Sequence, residues 1–154
     1  MDDFSGEGPI PDTLLWLDAD PYINREFAVG PPSAGVATFD GLGPKGQPHG
    51  GGLGPADRLT STYLDLTALP GDVFVSFWVQ AGGLGERPRP QDKLVLEYRD
   101  FNGDWDEFIS ITVDSFPVTP GQVSPFRFFS FPIPPLYKHG AFQFRLTNYN
   151  TRNG

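Results

Sequence analysis

Residues 73–79 read Val-Phe-Val-Ser-Phe-Trp-Val. Apart from one serine, every side chain is β-branched or aromatic. Such residues lose rotamer freedom against a helical turn and pack well on a pleated surface, so the stretch is a strand. Val73, Val75, Phe77 and Val79 point one way, and Phe74, Ser76 and Trp78 the other. A half-buried strand carries polar residues on one side. Here both sides are largely apolar, which predicts a central strand of a packed sheet with Trp78 in the core.

The rest of the chain is punctuated in a way that favours strands throughout. There are 19 Gly and 17 Pro among 154 residues, together with 14 Phe, 5 Tyr and 3 Trp. Aromatic-rich runs between Gly/Pro turns are the composition of an all-β domain rather than of a disordered chain. Pro9, Pro11, Pro21, Pro31 and Pro32 forbid a long helix in residues 1–33. That segment is expected to lie extended across the body, held by Phe4, Leu14, Trp16, Tyr22, Ile23 and Phe27, with one edge strand near Tyr22–Phe27. Further strands are expected over 35–39, 59–66, 94–98, 105–113, 126–131 and 141–149. Asp40-Gly41, Pro70-Gly71 and Asn102-Gly103 are turn pairs. In 141–149 the alternation is clean, with Phe142, Phe144 and Leu146 inward and Gln143, Arg145 and Thr147 outward. No stretch sustains a 3.6-residue period. The prediction is one antiparallel β-sandwich over residues 1–154.

Three long connections, 41–57, 81–92 and 114–125, separate these strands. If every connection from Gly35 onward reverses the chain, all three and the tail after Tyr149 fall at one end. The turns at 70–71, 102–103 and 133–140 fall at the other. Loops gathered on a rigid scaffold are where binding commonly sits.

The formal net charge is −8, which disfavours contact with nucleic-acid phosphates. With no cysteine and two histidines, disulfide scaffolds, thiolate metal sites and histidine-rich sites are excluded. No apolar run approaches the ~20 residues of a membrane helix. Met1 leads straight into Asp2 and Asp3 with no basic or apolar leader. This implies either a cytoplasmic protein or an N-terminus that is a fragment boundary.

Candidate sites are few. Asp3, Asp40 and Asp57 could supply oxygen ligands to a structural Ca²⁺; the plainer alternative is a turn at Asp40-Gly41 and a strand end at Asp57. Trp105, following a hairpin turn, could offer a stacking surface to a sugar, as could Trp16, Trp78 and Tyr98 if they were not core. Arg87 and Arg89 lie in a Pro-interleaved loop suited to holding a carboxylate or sulfate; a solvated loop is the alternative. His49 and His139 are expected to be solvent-exposed. The carboxylates of Asp18/Asp20 and Asp104/Asp106/Glu107 read as solubilising charges, since surface turns rarely give the burial that a general acid needs. No nucleophile elbow or phosphate loop occurs, so no enzyme is expected.

Several runs carry a resemblance. They are Asp3-Phe4-Ser5, Pro11-Asp12, Leu15-Trp16, Tyr22-Ile23-Asn24, Pro31-Pro32-Ser33 and the run Gly35 to Gly41 (Gly-Val-Ala-Thr-Phe-Asp-Gly). Further along come Ala56-Asp57-Arg58-Leu59-Thr60-Ser61, Val75-Ser76-Phe77, Gly82-Gly83-Leu84-Gly85, Asp92 to Glu97, Phe142 to Arg145, and Asn148-Tyr149. With these the chain resembles a jelly-roll domain of large secreted surface proteins of Bacteroidetes. Those proteins often carry type IX secretion sorting or gliding-motility-associated C-terminal domains. More distantly the chain resembles MAM and concanavalin-like jelly rolls. The resemblance implies a secreted or cell-surface location and a non-catalytic binding or adhesion role, with glycans or surface proteins as partners. The other implied role is a ligand-free structural spacer. Family members continue past the Asn-Tyr pair with a further strand. The chain is therefore expected to be a piece of a longer protein lacking its last strand. An open edge or apolar groove is expected there, available to the rest of the host protein or to another chain.

Overall fold

The computed structural model describes residues 2–6, 8–119 and 121–152. Among these residues eight strands follow one another: β1 (Tyr22–Asn24), β2 (Val36–Thr38), β3 (Gly54–Thr60), β4 (Phe74–Val79), β5 (Lys93–Arg99), β6 (Trp105–Thr112), β7 (Arg127–Pro132) and β8 (Phe144–Asn150). Among the described residues helical structure is limited to two 3₁₀ turns, Val113–Ser115 and Pro135–Tyr137. The chain is an all-β antiparallel sandwich. One layer is a four-stranded sheet in the order β3-β8-β5-β6. The other is made from the β4–β7 ribbon and, beside it, the N-terminal segment with its β1–β2 pair.

Strand alternation builds the core. Leu96 and Tyr98 of β5, Leu146 of β8 and Leu59 of β3 face the same interior as Val75 of β4, with Phe142, Ile133 and Tyr137 beside them. Phe77 and Phe131 bridge to a second cluster of Ala81, Ile111 and Phe116. Aromatic rings fill most of the space: Tyr98 lies 4.6 Å from Phe108, 5.4 Å from Tyr137 and 5.5 Å from Phe142, centroid to centroid. Phe4, Trp16, Ala37 and Phe39 pack on the same core. The N-terminal segment thus supplies part of the second layer. Leu15 and Leu17 also bond to the edge of β3: the Leu17 amide donates to Thr60 O, and the Thr62 amide to Leu15 O.

The expected placement of the loops holds. At one end the Arg87 guanidinium donates to Phe116 O, and the Gln80 side-chain amide donates to Ser124 O. There too Arg152 reaches the carbonyls of Gly51 and Gly52. Strand register puts Gly54, Asn150, Lys93 and Thr112 at this end. At the other end Lys138 donates to Gly71 O, Tyr137 to Asp106, and the His139 ring pairs with Arg99 O.

Two of the strand expectations fail. Strand 73–79 is not central: among the described residues β4 pairs with β7 alone, and Trp78 is 52% exposed. Its inward side is packed as predicted, but among the described residues no layer covers the other side. The strand expected over 59–66 begins earlier, at Gly54, with a register shift between Pro55 and Arg58, and after Thr60 it breaks into isolated bridges at Ser61 and Leu64. Pro55 is tolerated because the ladder is already irregular there.

Candidate functional site

The outer face of the four-stranded sheet carries a charged network. Glu97 and Arg145 are cross-strand partners on β5 and β8. Both carboxylate oxygens of Glu97 accept from Arg145, Nε at 2.6 Å and Nη2 at 2.7 Å, and the Thr147 hydroxyl adds a third bond at 2.6 Å. Burial alone would push Glu97 up, but the guanidinium and the hydroxyl hold its carboxyl below the usual range. Trp105 stands over the same pair, with the Arg145 guanidinium 4.2 Å from its ring. The stacking surface anticipated at Trp105 is therefore half-buried and occupied by an arginine of the same chain. Next to it Lys93 lies over Tyr149 and 3.5 Å from Glu107, whose other oxygen accepts from Ser110.

Arg87 and Arg89 do not converge. Arg87 ties two long loops together through Phe116 O, while Arg89 projects to solvent, 3.9 Å from Glu86. The rim formed by the long loops bears mostly glycine, proline and small polar residues; among its described residues Leu53, Leu84 and Val123 are the exposed large hydrophobic side chains. Gln80 clamps this end: its side chain accepts from the Val29 amide and donates to Val29 O and Ser124 O.

Asp57 is fully buried at the start of the sheet. One oxygen accepts from the Gly41 amide at 2.7 Å and the other pairs with His49 Nε2 at 2.9 Å. Desolvation raises its pKa, and these two partners oppose the rise. Gly41 adopts φ +78°, and a Cβ there would meet the Asn150 side chain at 2.5 Å, so the approach to Asp57 requires glycine. Asp40 caps the turn by accepting from the Leu42 amide. Asp3 is bound up with its own turn, accepting from the Ser5 amide. Among the described residues no three His, Cys, Asp or Glu side chains gather to hold a metal. Asp20, whose pKa burial raises, lies with Asp40 on a cavity of about 250 Å³ between the N-terminal segment and the 41–46 turn. Both histidines depart from expectation: His49 is half-buried on Asp57, and His139 packs edge-on against Phe142.

The largest departure is the outer face of the ribbon. Trp78 and Phe128 are cross-strand partners with ring centroids 5.2 Å apart, and each is more than half exposed. Phe74, 53% exposed, and Pro132 form the next outward pair but one. Between them the Ser76 and Ser130 hydroxyls share a 2.8 Å hydrogen bond. Trp16 and Tyr98, by contrast, belong to the packed interior.

No protein-family model and no curated protein sequence matches this chain.

Sequence reasoning missed Phe128 as a partner of Trp78, the Glu97–Arg145 pair and the His49–Asp57 pair. The first was within reach, since outward aromatics on two ribbon strands follow from alternation once the two are paired. The ion pair joins residues 48 positions apart and left no local signal.

Proposed function

We propose that this chain is a non-catalytic binding module of a large secreted or cell-surface protein, and that the outer face of the β4–β7 ribbon takes carbohydrate. The observation that carries the reading is Trp78 beside Phe128, half-exposed on a paired ribbon with two serine hydroxyls next to them. An exposed aromatic pair stacks on the apolar face of a sugar ring while neighbouring hydroxyls bond to its edge. The resemblance to Bacteroidetes surface-protein jelly rolls supports the location and the role. Structural Ca²⁺ has no part in this reading: Asp57 gives both carboxylate oxygens to Gly41 and His49. Affinity electrophoresis against a panel of soluble polysaccharides tests it. At least one should retard the protein, Trp78→Ala and Phe128→Ala should each abolish the retardation, and Trp105→Ala should leave it. Retardation by none of the panel ends the carbohydrate reading.

A second reading is a ligand-free spacer between other domains. The long-loop rim, dominated by glycine, proline and small polar residues, favours it. Under this reading the chain binds no polysaccharide, and neighbouring domains in the same open reading frame carry the adhesive function.

A further inference from the structure

The edges of the sandwich are not equally protected. The free edge of β3 is covered by Leu15–Leu17, and the Thr60 amide donates to Asp18. Strand β6 carries Asp106 and Glu107 and a register shift opposite Leu96/Glu97. Strand β7 begins at Arg127 and ends at Pro132, which has no amide to offer. Charges, bulges and prolines are the usual means of preventing strands from pairing edge to edge.

Strand β4 has none of them. The Ile133 amide donates to Val73 O, which makes residues 73, 75, 77 and 79 the hydrogen-bonded partners of β7. The amides and carbonyls of Phe74, Ser76 and Trp78 then point the other way. Among the described residues they find no partner, and all three residues are exposed. The open stretch stops at Gln80, whose side chain is held by Val29.

The sequence of this edge is close to a palindrome in character. About Ser76, Val75 mirrors Phe77, Phe74 mirrors Trp78 and Val73 mirrors Val79. We propose that the partner of this edge is a second copy of the chain, with β4 pairing antiparallel to β4 of the partner subunit across a two-fold axis at Ser76. In that register Phe74 lies opposite Trp78 of the partner subunit and Trp78 opposite Phe74 of the partner subunit. Each opposed pair exchanges two main-chain hydrogen bonds. The two ribbons become one four-stranded sheet whose outer face is a continuous aromatic row. A single shared strand pair makes a small interface, so the dimer is concentration-dependent. This inference rests on the open backbone edge of β4 and not on the carbohydrate reading, although both use Trp78.

Sedimentation equilibrium of the intact chain over a concentration series is the test. The expected result is a monomer–dimer equilibrium between 16.9 kDa and twice that mass. Trp78→Lys and Phe74→Glu should each weaken dimerisation about tenfold, since the two-fold axis removes two aromatic pairs at once. The double variant Phe74→Glu/Trp78→Lys should recover it, because each glutamate then faces a lysine of the partner subunit. Leu53→Lys, on the long-loop rim and away from the edge, should leave it unchanged. Circular dichroism of each variant checks that the fold is retained. A chain that stays monomeric throughout overturns the proposal. So does a dimer indifferent to the single substitutions, weakened by Leu53→Lys, or not restored in the double variant.

Discussion

Glu97 shows how a single residue acquires its behaviour from partners far away in sequence. A carboxylate on a sheet face ordinarily points to water, yet Glu97 is buried and receives two bonds from Arg145 and one from Thr147. Its pKa is depressed, so its stabilisation is fully present above the unfolded value of about 4.3 and is lost as pH falls through the lower folded value. Glu97→Gln should cost ~2 kcal/mol at neutral pH. In thermal melts the gap between wild type and variant should close below about pH 4. Asp57 runs with the opposite sign: its raised pKa contributes stability below the unfolded value, and that contribution is lost as pH rises through the folded one. Tyr137, pushed up to about 12 by burial and by the Asp106 carboxylate, stays a donor across this whole range. None of these pairs was legible in the sequence. His49 among glycines looks like a solvated residue until the loop folds back and sets it on Asp57.

At the scale of elements the sequence spoke more clearly, because alternation is a local property. The inward set of β8 and the inward set of β4 are where the pattern placed them. What alternation cannot report is how many neighbours a strand has. An apolar pattern on both faces fits a central strand, and it fits equally an edge strand whose outer aromatics stay exposed; Trp78 belongs to the second kind. The joining of elements also depends on single side chains that no periodicity reveals. Gln80 mimics a strand residue, bonding to both the amide and the carbonyl of Val29 while holding Ser124. Gln80→Ala should leave the sheets intact and cost about 1–2 kcal/mol. Hydrogen exchange at the Val29 amide should accelerate, while amides within β5 and β8 keep their protection. Equal acceleration in β5 would mean that the clamp is not local.

Taken whole, the molecule completes its second layer with a segment that has almost no regular structure. The β4–β7 ribbon is two strands wide and faces a sheet of four. The remaining width is covered by Phe4, Trp16, Ala37 and Phe39, and Trp16 is fixed by stacking on Phe4, by an edge contact with Phe144 and by its indole N–H bond to Asp2. Apolar anchors in a proline-rich run were visible in the sequence, but not that they replace strands. If the segment is part of the core, removing one anchor must weaken the entire fold and not merely loosen the terminus. Trp16→Ala should lower stability by about 3 kcal/mol. The loss should appear as a single cooperative denaturant transition with a lower midpoint and an unchanged slope. An early transition confined to the N-terminal segment, with the main midpoint unmoved, would instead make residues 2–21 an appendage laid on a finished sandwich. The backbone bonds from Leu15 and Leu17 along β3 argue for the cooperative outcome, because strand β3 cannot keep its edge covered once that segment lifts away.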